Sequence, residues 1–75
     1  MKIFVELRKR TYYRGGYIST SLLVALDDIS RVIECEDDRD LSNLVTKDGK
    51  VHNLNERYMD VVRKIKNATE ESEEA

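Results

Sequence analysis

The run LLVAL at residues 22–26 places the strongest constraint on the fold of this chain, because it is apolar at five consecutive positions. It ends a longer segment, residues 17–26, that is rich in β-branched and aromatic residues and is therefore predicted to be a β-strand. Successive side chains of a strand point to opposite faces, so this run is apolar on both faces and needs a cover on each. A helix can supply one cover. The other must be a curled sheet, a barrel wall or a second subunit.

Four further segments have the composition and spacing of β-strands. Residues 2–8 (KIFVELR) alternate apolar and polar side chains, and the Gly15-Gly16 pair after them signals a turn. Asp48-Gly49 between two apolar segments is a strong hairpin signal, because both central residues of a type I′ turn need positive φ. The predicted strands cover residues 2–8, 17–26, 30–36, 41–46 and 51–54.

The spacing of apolar residues changes after the fifth strand from the period of a strand to that of a helix. The apolar side chains between residues 58 and 65 fall on one helical stripe, and Asn55 before them is a suitable N-cap. This pattern ends near Asn67. Because residues 69–75 are polar and like-charged, we predict a disordered acidic tail there and a single folded domain over residues 1–68.

Short connections between the predicted strands favour antiparallel neighbours. We therefore predict an α+β fold, in which an antiparallel β-meander of four to five strands, open or curled into a small barrel, is packed by one C-terminal helix. A chain of this length buries only about 60% of its unfolded surface. Since the lone Cys35 excludes an internal disulfide, oligomerisation is the available reinforcement. The predicted interface of this homo-oligomer comprises Phe4, Leu22, Leu23 and Val24.

The candidate catalytic and metal-binding residues do not form a recognisable site. His52 is the only histidine, and Cys35 lies between two glutamates that oppose formation of a thiolate, so we expect structural roles for both. The acidic residues 34–40 lack the glycine and the spaced glutamate of an EF-hand loop. We therefore expect no enzyme, no metal and no cofactor.

The apolar segments are too short for a membrane protein. None approaches the ~20 apolar residues of a transmembrane helix, and charge follows the N-terminal apolar residues at once, unlike a signal peptide. A single cysteine fits a reducing compartment. We expect a cytoplasmic protein that does not associate with membranes.

The segment RKRTYYRGGY at residues 8–17 is the candidate binding surface. Its cations can contact phosphates while its tyrosines stack on unpaired bases. Two other interpretations are a charged hairpin edge that blocks unwanted strand pairing, and a site for an anionic protein or ligand. The acidic residues 34–40 can compete for the same cations, which is a hypothesis for self-assembly. If the segment is a contact surface, Tyr12 or Tyr13 should be exposed. The candidate residues are Arg8, Lys9, Arg10, Tyr12, Tyr13, Arg14 and Tyr17.

Residues 44–65, LVTKDGKVHNLNERYMDVVRKI, follow the order strand, Asp-Gly turn, strand and helix start, and residues 26–34 (LDDISRVIE) form an isoleucine-centred segment before them. Over residues 22–66 the chain resembles the small flagellar FlbD family and similar short bacterial and phage proteins. In place of the Pro-Asp-Thr element typical of that family, residues 35–42 read CEDDRDLS. The resemblance implies a small non-enzymatic regulatory or adaptor protein of bacterial or phage type.

Taken together, these features predict a non-catalytic module that acts by binding another protein, whose identity the residues do not specify. The alternative is a small nucleic-acid-binding protein that uses residues 8–17. The alternative predicts nucleic-acid binding that weakens steeply with salt and is lost when Arg8, Arg10 and Arg14 are replaced by alanine.

Overall fold

A computed structural model describes the backbone of residues 2–74 and the side chains of residues 2–71. Five antiparallel strands form one open sheet, and a C-terminal helix packs against it, which confirms the predicted α+β class. The sheet is not closed into a barrel. The elements are β1 (Phe4–Tyr13), β2 (Gly16–Ala25), a 3₁₀ turn (Leu26–Asp28), β3 (Ile29–Glu34), β4 (Ser42–Thr46), β5 (Val51–Leu54) and α1 (Tyr58–Glu74).

The strand order, β2-β1-β5-β4-β3, differs from that of an uninterrupted meander. β1 and β2 form one hairpin, while β3, β4 and β5 follow one another as neighbours. The two groups are joined where Lys9 of β1 pairs with Leu54 of β5 and the Asn55 N–H donates to the Arg8 carbonyl at 2.8 Å. An uninterrupted meander would place β2 beside β3. In this order both are edge strands instead.

The core lies between the sheet and α1, and alternation along the strands selects its members. In the first hairpin, Val5 and Leu7 are buried while the residues between and beside them are exposed or half-buried. Ile65 of α1 and Leu22 of β2 pack against the core from its margin. The buried apolar cluster comprises Val5, Leu7, Val24, Leu44, Leu54, Val61 and Ala68.

The helix begins at Tyr58, later than the sequence pattern predicts. Asn55, the predicted N-cap, and Glu56 form the corner between β5 and α1 instead. Asn55 is held there by its bond to Arg8 of β1, and the first helical N–H groups bond to the carbonyl of Arg57. Tertiary pairing with β1 therefore overrides a local capping signal.

The helix also continues to Glu74, whereas the sequence pattern predicts its end near Asn67 and disorder from Thr69 onward. Ala68 is buried against the core, and the Thr69 hydroxyl donates to the carbonyl of Ile65 at 2.8 Å. The burial of Ala68 extends the helix beyond the apolar stripe. The predicted acidic tail is thus helical as far as the described residues reach.

The turn of the first hairpin is shifted by one residue from its predicted position. Tyr13 pairs with Gly16, so the two-residue loop consists of Arg14 and Gly15, which have φ values of 48° and 81°. A type I′ turn requires positive φ at both positions, and its twist matches that of the flanking strands. Arg14 therefore occupies the left-handed region, and its side chain stands at the end of the hairpin.

The second hairpin turn lies where the sequence predicts it. It is not the predicted type I′ turn, because Gly49 has a positive φ, 88°, but Asp48 does not, and the Gly49 N–H donates to the Thr46 carbonyl at 2.9 Å, which makes Lys47 and Asp48 the central residues. The Asp48 carboxylate accepts hydrogen bonds from the Thr46 hydroxyl and from the Lys50 N–H at 3.1 Å. These bonds hold the pKa of Asp48 below its ordinary value, and the bond from Thr46 has the largest effect. The charged carboxylate is therefore the form that the folded turn favours.

We expect the turn to lose this stabilisation at acid pH. Because the pKa of Asp48 is lower in the folded state than in the unfolded state, its contribution is fully present above the unfolded value of about 4 and is lost as the pH falls through the folded value. In an NMR titration, Thr46→Val should raise the midpoint of Asp48 toward the ordinary value. An unchanged midpoint would show that Thr46 does not control this carboxylate.

Candidate binding surface of the first hairpin

The first hairpin extends beyond the core at its closed end. Its buried residues, Val5, Leu7, Val24 and Ala25, all lie near the open end, whereas residues 12–19 are exposed. The pairing register places the even-numbered residues of β1 and the odd-numbered residues of β2 on the face opposite the core. We call this the outer face, and we call residues 10–18 the tip.

Aromatic and cationic side chains interleave at the tip. Tyr12 and Tyr17 pair across the strands, edge to face, with ring centroids 5.3 Å apart. The Arg10 guanidinium carbon lies 4.9 Å from the Tyr17 centroid, and that of Arg14 lies 5.3 Å from the Tyr13 centroid. All three tyrosines are more than half exposed. The tip therefore meets the exposure expected of a contact surface.

Two of the predicted binding residues are placed elsewhere. Arg8 lies flat along the outer face, where Nε and Nη1 donate to the hydroxyls of Ser19 and Ser21 and Nη2 donates to the Ser19 carbonyl, at 3.0 to 3.2 Å. Lys9 belongs to the opposite face, where it pairs with Leu54. The structure thus brings together Arg10, Tyr12 and Tyr17 on the outer face. Arg14 stacks on Tyr13, which lies on the opposite face at the end of the hairpin, and neither Arg8 nor Lys9 joins the tip.

The outer edge of β2 is a second feature of this hairpin. The strand has ten residues in an unbroken register with β1, and residues 16–26 contain neither a charged residue nor a proline. Among residues 2–74, β1 is its only hydrogen-bonded neighbour in the sheet. A long, regular, uncharged edge is a template for pairing with another strand. Sequence reasoning missed this surface, because it depends on β2 being an edge.

The other edge strand carries the features that proteins use to prevent such pairing. β3 has six residues, its register shifts between Ile29 and Arg31, and it bears the charges of Arg31 and Glu34. A bulge twists an edge, and charged side chains oppose its desolvation. The two edges of one sheet therefore differ: β3 is protected and β2 is open.

The four residues predicted for an oligomer interface separate into two pairs. Val24 is buried in the core and Leu22 packs against it, so these side chains already have partners within the chain. Leu23 and Phe4 lie on the outer face, 63% and 51% exposed. The core covers one face of the run at residues 22–26, and on the outer face Ala25, paired with Phe4, is buried as well. At Leu23 the second cover is missing within the described chain.

The possible catalytic residues line separate cavities. His52 faces a groove of about 430 Å³ that also includes Asp28 and Asp48, while Cys35 lines a different one. The Asp48 carboxylate in that groove is already engaged by its own turn. Within the described residues, no three histidine, cysteine or carboxylate side chains are grouped to hold a metal, and no helix is long and apolar enough to span a membrane.

Glu56, which the sequence offers with Asn53 as a rival capping arrangement, connects three elements. Its Oε1 accepts from the Arg8 N–H at 2.8 Å and from Lys64 Nζ at 2.7 Å, and its carbonyl accepts from the buried Ser42 hydroxyl. The side chain is only 8% exposed. A lone glutamate before a helix resembles a capping residue, so only the three-dimensional structure reveals this role.

No protein family, no curated protein and no solved structure matches this chain. The resemblance to the FlbD family therefore stays a prediction.

Proposed function

We propose that this protein is a non-enzymatic regulatory or adaptor protein of bacterial or phage type that binds other proteins through the free edge of β2. The observation that carries the proposal is the edge itself, with its ten residues in unbroken register and without charge. A strand added there gains main-chain hydrogen bonds along its length, while alternate side chains provide selectivity.

Two neighbouring features support strand addition at this edge. Leu23 projects from β2 with 63% of its surface exposed, which is a natural contact for an apolar side chain on the incoming strand. Arg10 and Arg14 stand at the tip beside the same strand, and they favour partners with acidic residues at one end of the binding segment. The half-buried Cys35 fits a reducing, cytoplasmic location.

Homo-oligomerisation belongs to the same proposal. Because the chain is short and has one cysteine, added subunits are the reinforcement open to it. Leu23 and Phe4 on the outer face supply apolar area that a second subunit can cover.

We expect a photo-crosslinking residue at position 23 to form adducts with other proteins in the native cell, several-fold more than one at Met59. The two side chains are equally exposed, at 63%, but Met59 lies on α1, away from the edge. Ser21→Pro should abolish the position-23 adducts, because proline removes an N–H that faces away from β1 and is tolerated on such an edge. Circular dichroism verifies that the variant is folded. Equal labelling at both positions, or no effect of Ser21→Pro, would contradict the proposal.

The second candidate function is nucleic-acid binding at the tip, which the three exposed tyrosines and Arg10 and Arg14 favour. Two observations weigh against it. Three of the five guanidinium N–H donors of Arg8 are engaged within the hairpin, and the chain carries a net charge of −2.

Fluorescence anisotropy with short single-stranded DNA and RNA at low salt separates the two functions. We expect no binding. Binding that weakens steeply with salt and disappears in Arg10→Ala/Arg14→Ala would establish the nucleic-acid function instead.

A further inference from the structure

We propose that the occupant of the β2 edge is β2 of a second copy, paired antiparallel about a twofold axis at Thr20. This inference rests on the proposed protein-binding function: the two copies pair at rest, and the strand of another protein takes the place of the second copy at the same edge. In this register Thr20 lies opposite Thr20 of the second copy. Ser19 then faces Ser21, Ile18 faces Leu22, and Tyr17 faces Leu23. The two five-stranded sheets become one continuous sheet.

The hydrogen-bonding pattern of the hairpin permits this register. Tyr13 and Gly16 close a two-residue turn, so the N–H and C=O of Gly16 point toward β1, and those of alternate residues after it do the same. Tyr17, Ser19 and the other odd-numbered residues therefore direct their backbone groups outward. Pairing Tyr17 with Leu23 and Ser19 with Ser21 joins outward-facing groups on both copies. The Ser19 carbonyl already accepts from Arg8 Nη2 and has a second lone pair for the Ser21 N–H of the second copy.

The side chains also match in this register. Tyr17 and Leu23, which are 65% and 63% exposed, meet on the outer face, twice per dimer. Ile18, 45% exposed, meets Leu22 on the other face. A shift by two residues would set Tyr17 against Ala25 and Leu23 against Ser19, which leaves the large apolar surfaces poorly matched.

Charge at the two ends of β2 favours the antiparallel direction. Arg14 stands at one end, and the exposed Asp27 and Asp28 stand at the other, so antiparallel pairing sets the cation of each copy beside the carboxylates of its partner. Parallel pairing would place like charges together. This attraction contributes only modestly to the stability of the dimer, because the charged groups are exposed and because Lys47, whose N–H bonds to the Asp28 carbonyl, lies nearby.

Symmetry makes the pairing self-limiting. Two β2 edges used against each other close the dimer, and the remaining edges are both β3. A contact of β2 with β3 would leave one free edge of each kind and would propagate into a fibre. The register shift between Ile29 and Arg31 and the charge of Glu34 disfavour that contact.

The first test is the mass in solution. Sedimentation equilibrium at micromolar to submillimolar concentration should give about twice 8.8 kDa. Leu23→Lys should raise the dissociation constant by at least roughly ten-fold, because two Tyr17–Leu23 contacts are lost per dimer. Met59→Lys, at a position of equal exposure on α1, should leave it unchanged.

The second test locates the twofold axis by disulfide formation in a Cys35→Ser background. Thr20→Cys should form a crosslinked dimer with oxidised glutathione, because directly opposite Cα atoms of a non-hydrogen-bonded pair are about 4.5 Å apart. Ile18→Cys, whose copies would lie about 13 Å apart along the strand, should crosslink roughly ten-fold more slowly or less.

The dimer is overturned if the wild-type mass stays at 8.8 kDa, if Leu23→Lys associates as the wild type does, or if Ile18→Cys crosslinks as fast as Thr20→Cys. The proposed function is decided separately. Adducts between position 23 and other proteins in a monomeric chain would uphold strand addition while rejecting self-pairing. A dimer without such adducts in the cell would uphold self-pairing while rejecting the adaptor function.

Discussion

Leu54→Ala is expected to lower the free energy of unfolding by about 3 kcal/mol. Leu54 is fully buried where β5 meets both β1 and β4, and it is the one residue of β5 whose pairing with β1 joins the two halves of the sheet. Truncation removes buried apolar surface and leaves a cavity that the rigid sheet cannot fill. For a domain this small, that loss is a large fraction of the total stability.

Val51→Ala is the matched control on the same strand. Val51 is 61% exposed, so its replacement should change the free energy of unfolding by no more than about 0.5 kcal/mol. Urea unfolding followed by circular dichroism measures both variants. Equal destabilisation of the two would mean that Leu54 does not hold the halves of the sheet together.

Glu56→Ala is expected to cost about 2–3 kcal/mol, an unusual effect for a polar residue outside the regular elements. The substitution removes the acceptor for the Arg8 N–H and for Lys64 Nζ, and so uncouples β1 from α1. In the ion pair that Glu56 forms with Lys64, Glu56 is the buried partner, whereas Lys64 is 44% exposed. Replacing Glu56 should therefore lower the free energy of unfolding more than replacing Lys64 does.

Two further variants divide this effect into its parts. Lys64→Met should cost about 1 kcal/mol or less, since its ammonium is partly hydrated. Glu56→Gln keeps one acceptor oxygen for the Arg8 N–H and should cost less than Glu56→Ala. Its amide replaces Oε2, which is buried without a hydrogen-bond partner among the described residues.

A double-mutant cycle of Glu56 and Lys64 by urea unfolding gives the coupling energy. A value near zero would contradict the proposed link.

The local elements could be predicted because their signals are local. Alternation in β1, the β-branched β2 and the Asp48-Gly49 turn act over a few residues, and the structure contains all of them. The boundaries were less accurate where a distant contact intervenes. Asn55 bonds to β1 rather than capping the helix, and the burial of Ala68 carries α1 past its apolar stripe.

The candidate site was predicted in part. The exposed tyrosines and Arg14 of the tip lie where the sequence indicates, because a hairpin turn projects its side chains in any context. Arg8 looks equivalent to Arg10 in the sequence, yet its donors are engaged by Ser19 and Ser21. That engagement depends on cross-strand register, which brings together residues far apart along the chain.

The sequence by itself determined the type of each strand and of the helix, because hydrophobic period and turn chemistry are properties of neighbouring residues. It did not determine their extent, since β1 runs to Tyr13 and α1 to Glu74. It also predicted a cover on both faces of residues 22–26. Only the tertiary structure decided which strands form the edges, because the insertion of β5 beside β1 depends on the pairing of Lys9 with Leu54, far apart in the chain. That pairing leaves β2, without charge and with Leu23 uncovered, at the open edge of the sheet.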